Sequence, residues 1–188
     1  VIGGITVTGL NPDSQQGDKV ILDILKRCGG KFKPVEGGLH FDRSLLKATE
    51  IDLADCPDLG PILFTLGCFC SGETVIRNAG RLRLKESDRI EAMQTELRKM
   101  GARIEVDGDT VHIQGVALHA PNAPLSGHND HRIVMALAVA AIASGLPALL
   151  CGAEAVDKSW PAFWSVLRGL GAKVELNTDK QEEFDIKA

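Results

Sequence analysis

The sequence predicts an α/β domain built from about two and a half copies of one βαβαββ-like unit. Three segments share a pattern in which a helix ends at a glycine and a strand follows at once with a basic and then an apolar residue. These segments are residues 25–32, 97–104 and 167–174. They lie 72 and 70 residues apart, and a spacing this regular indicates repeated structural units.

The first element expected along the chain is a strand, because the opening residues VIGGITVTGL alternate in the manner of a strand. The chain starts at Val1 without an initiating Met. Together with the unfinished third copy described below, this leads us to expect a piece of a longer protein.

A second helix is predicted in each of the first two units, at about 57–70 and about 130–144. Each of these helices ends in Ser-Gly and leads into an apolar strand. The expected strands are 73–77 and 148–151.

Glycine-containing turns mark two β-hairpins, at residues 36–38 and 107–109. The third copy holds only its first helix and strand before the sequence becomes polar. The expected units are therefore about 3–78, about 79–152 and a partial one at 153–178, followed by a polar tail at 179–188.

The composition excludes several classes of protein. Of 188 residues, 44% are hydrophobic and 24% are charged, which is typical of an ordered globular chain. A net charge of −4 argues against a general nucleic-acid binder. The longest apolar run, 133–150, is interrupted by polar and helix-breaking residues and predicts a buried helix and a strand, so no membrane span is expected. Five cysteines without a CxxC pair favour reduced thiols and a cytoplasmic location.

Basic residues gather at predicted helix starts. The segments concerned are 55–58, 81–89, 127–132 and 157–161. A helix N-terminus disfavours a cation by roughly 0.3–1 kcal/mol, yet four basic residues lie within about a turn of such starts. They are Lys85, Arg89, Arg132 and Lys158. This arrangement favours binding of an anion, a phosphate or a carboxylate, and more than one such group.

Each of these features has a purely structural alternative. Residues 85–89 also fit an exposed helix start held by ion pairs, and Asp58 fits a first-turn carboxylate. Aligning the Ser-Gly ends places Asp58 at the repeat position of His131. His128 and His131 have an HxxH spacing, for which a structural role is favoured over a metal site because no third ligand is evident. Arg132 precedes an apolar run and therefore needs an acceptor.

Four motifs together resemble one enzyme family. Residues 81–89, RLRLKESDR, followed by the helix end ELRKMG, resemble the signature of the 5-enolpyruvylshikimate-3-phosphate synthases. Residues 129–136, NDHRIVMA, are similar to that family's second signature, and residues 55–58 and 157–161 are similar to two further blocks. The motifs occur in the family's order over nearly the whole chain.

The resemblance covers only the C-terminal of the family's two domains. It implies three βαβαββ units arranged as an inverse α/β barrel-like domain, with the active site in the cleft toward the N-terminal domain. In the family, the extreme N-terminal stretch of the full chain completes this domain, which fits the unfinished third unit expected here.

The resemblance implies transfer of the enolpyruvyl group of phosphoenolpyruvate to the 5-hydroxyl of shikimate 3-phosphate, with release of phosphate, in the pathway to chorismate. No metal and no organic cofactor are expected. The expected partners are the two substrates and the N-terminal domain of the same enzyme. On this basis the chain alone is expected to be inactive.

The resemblance also implies roles for single residues. Asp58 matches the carboxylate that contacts the shikimate hydroxyl and accepts its proton, and Glu86 matches a carboxylate that moves a proton at the methylene carbon of phosphoenolpyruvate. Lys85 matches a lysine at the shikimate ring. The residues expected to hold phosphoenolpyruvate are Arg89, Arg132 and Lys158, the last also as a candidate acid. The roles of Asp130 and His131 are left open.

Two other functions fit part of the pattern. One is the related transfer of the same enolpyruvyl group to UDP-N-acetylglucosamine, which uses the same repeat fold, although residues 85–89 favour the shikimate enzyme. The other is a non-catalytic repeat module that binds an anionic metabolite or a protein partner.

Overall fold

The structure is a computed structural model that describes residues 4–177 and 183–187. These ranges contain eleven β-strands and five α-helices, mixed along the chain, and the strands form three sheets. The predicted α/β class is confirmed.

The first sheet is small and antiparallel, with strand order β1-β3-β2. Its strands are β1 (Ile5–Thr8), β2 (Lys31–Val35) and β3 (Gly38–Asp42), and helix α1 (Ile21–Arg27) lies between β1 and β2. The predicted hairpin at residues 36–38 joins β2 and β3. Gly37 sits in its turn with φ +73°, a conformation that glycine adopts without steric cost.

The second sheet belongs to a full βαβαββ unit. Its strand order is β4-β5-β7-β6, with β4 and β5 parallel and the other neighbours antiparallel. The elements are, in chain order, β4 (Glu50–Asp52), α2 (Gly60–Phe69), β5 (Glu73–Arg77), α3 (Arg89–Lys99), β6 (Arg103–Asp107) and β7 (Thr110–Gln114).

The third sheet repeats this arrangement, with order β10-β11-β9-β8 and a parallel pair formed by β8 and β9. Its unit contains, in chain order, β8 (Leu125–Ser126), α4 (His131–Ser144), β9 (Ala148–Cys151), α5 (Phe163–Gly169), β10 (Lys173–Asn177) and β11 (Glu183–Lys187).

The expectation of an unfinished third unit is wrong. Strand β11 lies between β9 and β10, so residues 183–187 are part of the sheet and not of a polar tail. The signal was present in the alternation of EFDIK, and Ile186 is buried in the core. Among the described residues, the unit with fewer elements is the first, which has only β1, α1, β2 and β3.

The repeated glycines end helices as predicted. Gly29, Gly101 and Gly171 have φ of +82°, +86° and +93°, which is the left-handed conformation that terminates a helix. The two further helices predicted at about 57–70 and 130–144 also form, the first with a 3₁₀ turn at Pro57–Leu59 before α2.

The core lies where α2, α3 and α4 pack against one another. Leu63, Phe64 and Leu97 are fully buried there. The Thr65 hydroxyl of α2 donates to the Ala136 carbonyl of α4 over 3.0 Å. Gly67 lies so close to Ile113 that an added Cβ would come within 3.1 Å of that side chain. This packing fixes the starts of α3 and α4 relative to the residues before α2.

The buried cysteines behave as core residues. Cys28, Cys56, Cys68 and Cys70 are buried and form no disulfide. Burial raises the pKa of Cys68 and of Cys70 to about 12, so both thiols stay protonated. In the part of the chain that is described, none of the helices combines the length and the apolar character needed to cross a bilayer.

Candidate functional site

Two aspartates begin the helices that carry the site. The Asp88 carboxylate accepts the backbone N–H groups of Ile90 and Glu91, each at 3.1 Å, at the start of α3. The Asp130 carboxylate accepts the Arg132 N–H at 2.9 Å, at the start of α4. Aspartate is a favoured helix cap because its oxygen satisfies N–H groups that have no partner in the first turn.

Three cations converge on the Asp58 carboxylate. Lys85 Nζ lies 3.0 Å and Arg89 Nη1 3.2 Å from Asp58 Oδ1, and Arg132 Nη2 lies 3.3 Å from Oδ2. Arg132 also donates to the Asp58 carbonyl at 3.1 Å. The structure thus brings together four of the six residues assigned to the site from the sequence.

Arg89 and Asp130 form a buried ion pair beside this carboxylate. Arg89 donates Nε to Asp130 Oδ2 at 2.8 Å and Nη2 to Oδ1 at 3.2 Å, a two-point geometry that suits a guanidinium. Ser87 adds a hydroxyl donor at 3.1 Å. Asp130, whose role the sequence left open, is therefore the buried counter-ion of Arg89.

Glu86 and Lys158 lie together near Asp130 and His131. The Glu86 carboxylate is 3.2 Å from His131 Nδ1 and 3.7 Å from Lys158 Nζ. Lys158 Nζ donates to the Asn129 side-chain oxygen at 2.8 Å and to the Asn129 carbonyl. The remaining two site residues are thus paired with each other.

The basic side chains differ in their access to solvent. The exposed fractions are 27% for Lys85, 32% for Arg132 and 41% for Lys158, but 3% for Arg89. Arg89 already uses Nε, Nη1 and Nη2 on Asp58 and Asp130. Direct contact of Arg89 with an anion therefore requires release of Asp58. The three other cations are exposed enough for a ligand to reach them from solvent.

The two central aspartates are held in the charged form. Burial raises the pKa of Asp58, but the hydrogen bond from Lys85 and the charges of Arg132, Lys85 and Arg89 outweigh it and hold the pKa below its ordinary value. Burial likewise opposes ionisation of Asp130, and the Arg89 hydrogen bond and charge overcome it, so the pKa of Asp130 is also lowered.

The sequence predicted that Lys158 lies at or within about a turn of a helix start, and this prediction is wrong. Lys158 ends the 3₁₀ helix Ala153–Lys158 and precedes α5 by five residues. The equivalent 3₁₀ helix of the preceding unit is Ala79–Leu84, and Lys85 follows it directly. A residue in the left-handed conformation directly precedes each of these 3₁₀ helices, Asn78 before the first and Gly152 before the second. The units of the second and third sheets therefore each contribute one lysine to the site, from nearly the same position in the repeat.

A metal site is not indicated by the donor set. Glu86, Asp130 and His131 each have one ligand atom within 4.8 Å of the others. Both Asp130 oxygens, however, already accept hydrogen bonds from Arg89. His128 pairs instead with Glu96 at 3.0 Å, which agrees with the structural role favoured for the HxxH spacing.

Sequence reasoning missed three residues around the site, Ser87, Glu96 and Asn129. The sequence carries a signal for two of them, Glu96 and Asn129. A glutamate at 96 lies next to the apolar positions Met93 and Leu97 of α3, so it faces the core and needs partners. Asparagine after Gly-His in a loop favours a left-handed conformation.

Comparison with known proteins identifies the family of this chain. The model of the family EPSP synthase (3-phosphoshikimate 1-carboxyvinyltransferase) matches residues 1–167. The chain belongs to this family. The match includes all six residues assigned to the site.

Individual EPSP synthases agree with the family match. The 3-phosphoshikimate 1-carboxyvinyltransferase of Clostridium acetobutylicum is 44% identical over 172 residues, and that of Methanocaldococcus jannaschii is 40% identical over 173 residues. Each alignment covers 92% of this chain. A solved EPSP synthase from Acinetobacter baumannii superposes with a TM-score of 0.71 at 26% identity, covering 89% of this chain and 42% of that one.

The chain spans about 40% of the length of these EPSP synthase relatives. It therefore carries part of what a full-length member contains.

Proposed function

We propose that the protein containing this chain transfers the enolpyruvyl group of phosphoenolpyruvate to the 5-hydroxyl of shikimate 3-phosphate and releases phosphate. The observation that carries the proposal is the convergence of Lys85, Arg89 and Arg132 on Asp58, with Glu86 and Lys158 alongside. A substrate with a phosphate and a carboxylate needs several cations, and the chemistry needs carboxylates that move protons.

The reaction has two steps. In the addition, the hydroxyl oxygen forms a bond to C2 of phosphoenolpyruvate, the hydroxyl proton leaves, and C3 gains a proton to become a methyl group. In the elimination, the methyl group loses a proton, the C2–C3 double bond forms again, and the C2–O bond to phosphate breaks. Both steps need a proton donor or acceptor near C3 and one near the hydroxyl.

The site residues fit these requirements. We assign Asp58 to the hydroxyl proton and Glu86 to the proton at C3, with Lys158 as a further acid. Arg132 and Lys158 are accessible enough to hold phosphoenolpyruvate, and we assign Lys85, which is also accessible, to the shikimate ring. Arg89 joins them once Asp58 is released.

Substrate binding activates Asp58 in this scheme. A carboxylate paired with three cations is a weak base, because its pKa is lowered. An anionic substrate that attracts Arg132 and Lys85 removes part of this stabilisation. Asp58 then becomes a stronger proton acceptor at the moment when the hydroxyl is in place.

The proposal extends to the whole domain. We propose that residues 1–178 are the bulk of a C-terminal domain whose units form the inverse α/β barrel-like arrangement, with the strand at 183–187 added to it. The N-terminal domain of the same protein supplies the other wall of the cleft. In the second sheet a parallel strand, β4, pairs with β5; we propose that the longer protein supplies the corresponding strand beside β1. The reduced cysteines favour a cytoplasmic location.

The test is an enzyme assay on a complete polypeptide. The chain is fused to the segment that precedes the matched region in the Clostridium acetobutylicum relative, and the intact relative serves as the positive control. We expect phosphate release from phosphoenolpyruvate that depends on shikimate 3-phosphate. An exposed residue of α3, Glu91, changed to Gln is the matched control and should retain this activity.

The other outcomes decide between the alternatives. Phosphate release that depends on UDP-N-acetylglucosamine would move the assignment to the related transferase. Saturable binding of phosphoenolpyruvate to a folded fusion without turnover of either acceptor would support a binding module and overturn the enzyme proposal.

A further inference from the structure

A buried carboxylate outside the proposed site residues binds the loop before α4. Glu96 of α3 has 2% of its side chain exposed. Its Oε2 accepts the Ser126 N–H at 2.8 Å and Lys99 Nζ at 2.7 Å, and its Oε1 lies 3.0 Å from His128 Nε2. Lys99 also donates to the Pro124 carbonyl at 2.9 Å. One turn of α3 therefore holds the loop at three points.

The loop that Glu96 contacts has an unusual backbone conformation. His128 and Asn129 are consecutive non-glycine residues with φ of +49° and +52°. Non-glycine residues in this conformation are strained and persist only where the surroundings impose it. The contacts of Glu96 to Ser126 and His128 are placed to impose this conformation.

The consequence of that conformation is a tether for Lys158. Asn129 presents both its carbonyl and its side-chain oxygen to Lys158 Nζ. A single residue can offer two oxygens to one ammonium only if its backbone and side chain turn toward the same point. The same ammonium lies 3.7 Å from the Glu86 carboxylate.

We infer that Glu96 is a positioning residue, which acts through His128 and Asn129 to fix the ammonium of Lys158 beside Glu86. Its two charge-assisted contacts hold the loop, the loop holds Asn129 in the left-handed conformation, and Asn129 holds the lysine. The importance of Lys158 for turnover rests on the proposed function, whereas the tether itself does not.

The test measures the reactivity of Lys158 directly. The folded chain is labelled with a trace of acetic anhydride, and the initial rate at Lys158 is compared with that at exposed Lys33 by mass spectrometry. The amine can attack the anhydride only when its nitrogen is released from its protein partners, so the contacts to Asn129 protect Lys158. We expect Glu96→Gln and His128→Ala each to raise the relative rate about threefold to tenfold, as for a weakened charge-assisted hydrogen bond.

The order of action is tested by combining variants. Asn129→Gly removes the side-chain acceptor but accepts the left-handed backbone without strain, so it should release Lys158 with little loss of thermal stability. Adding Glu96→Gln to Asn129→Gly should then raise the Lys158 rate by less than Glu96→Gln does alone, because only the contact to the backbone carbonyl of residue 129 is left to lose. The control Glu91→Gln lies on the same helix and should leave the rate unchanged.

Three results would overturn the inference. One is a Lys158 rate that is unchanged in Glu96→Gln although the melting temperature falls. The second is an additive effect of Glu96→Gln and Asn129→Gly. If Glu96→Gln unfolds the chain, which its circular dichroism would show, the test passes to His128→Ala, and an unchanged Lys158 rate in that variant would be the third.

Kinetics of the fused polypeptide provide a second readout. A loosened lysine should lower kcat more than it raises KM, because the misplacement acts on the reacting geometry. Absence of turnover in the unmodified fusion would count against the proposed function and would leave the labelling result standing.

Discussion

At the scale of single residues, the decisive feature is that the Asp58 carboxylate pairs with the cations that we expect to bind an anion. This carboxylate lies between Lys85 and Arg132, both of which remain about a quarter to a third exposed. An incoming phosphate or carboxylate therefore competes with Asp58 for the same cations. Removal of that negative charge should have opposite effects on binding and on turnover.

Asp58→Asn should bind an anion more tightly and turn over more slowly. We expect sulfate, whose charge is constant above pH 4, to bind the chain roughly twofold to fivefold tighter, in line with the ~0.5–1 kcal/mol of partly exposed ion pairs. In the fused polypeptide, kcat should fall by roughly 10²–10⁴-fold, because the amide cannot accept a proton. Calorimetry at low ionic strength and a phosphate-release assay measure the two effects.

The matched control is Asp107→Asn, which removes the same charge from an exposed hairpin position. It should change neither sulfate binding nor turnover. Weaker sulfate binding by Asp58→Asn would mean that Asp58 organises the cations for the ligand and does not compete with it.

Glu86→Gln tests the role of Glu86 in proton transfer. The amide keeps the shape of the side chain but cannot carry a proton, so we expect kcat to fall by roughly 10²–10⁴-fold with a smaller change in KM for phosphoenolpyruvate. Steady-state kinetics of the fused polypeptide, with each substrate varied in turn, measure both constants. A kcat within about threefold of the unmodified protein would remove Glu86 from the mechanism.

At the scale of elements, the contact of Asp130 with Arg89 joins the starts of α4 and α3. Asp130 caps α4 through the Arg132 N–H and pairs with the first residue of α3. Both groups are buried, so loss of either leaves an uncompensated buried charge.

Asp130→Asn should destabilise the chain by about 3–5 kcal/mol at neutral pH. Because the pKa of Asp130 is below its ordinary value of 3.8, the stability it contributes is complete above that value and is lost as the pH falls through the lower folded value. The difference between the unmodified chain and Asp130→Asn should therefore shrink below about pH 4. Urea unfolding between pH 7 and pH 3 measures it, and a difference that stays constant would contradict the assignment.

At the scale of the whole molecule, the sheets are unequally covered. The side chains of β1 are mostly exposed, with Val7 39% exposed and the nearby Leu10 45% exposed. In the second sheet the equivalent of β1 is β5, which pairs with the parallel strand β4 on its other edge. Within the described residues β1 has β3 as its single strand partner.

The chain on its own should therefore associate and should lack turnover. An unpaired strand edge next to exposed apolar side chains favours association, and one wall of a cleft binds phosphoenolpyruvate weakly because it neither excludes water nor orients the ligand. Sedimentation across a concentration series and calorimetry with phosphoenolpyruvate measure these properties. A monomer at all concentrations, or micromolar affinity, would contradict the expectation.

The sequence by itself determined the local elements and the identity of the charged residues. Glycine at the helix ends, Ser-Gly after α2 and α4 and the two hairpin turns all depend on backbone conformations that only a few residue types adopt readily. For that reason the strands at 73–77 and 148–151 were predicted to the residue, and the helices before them to within three residues.

Tertiary structure alone decided which charges meet and which are buried. Arg89, Arg132 and Lys85 look alike in sequence, yet packing of α3 against α4 buries only Arg89, and Glu96 finds its partners some thirty residues away. The strand at 183–187 was indicated only by a short alternating pattern, and its place between β9 and β10 was decided by the tertiary structure. The physical reason is that caps and turns are chosen within a few residues, whereas burial and ion pairing depend on segments that folding brings together from distant parts of the chain.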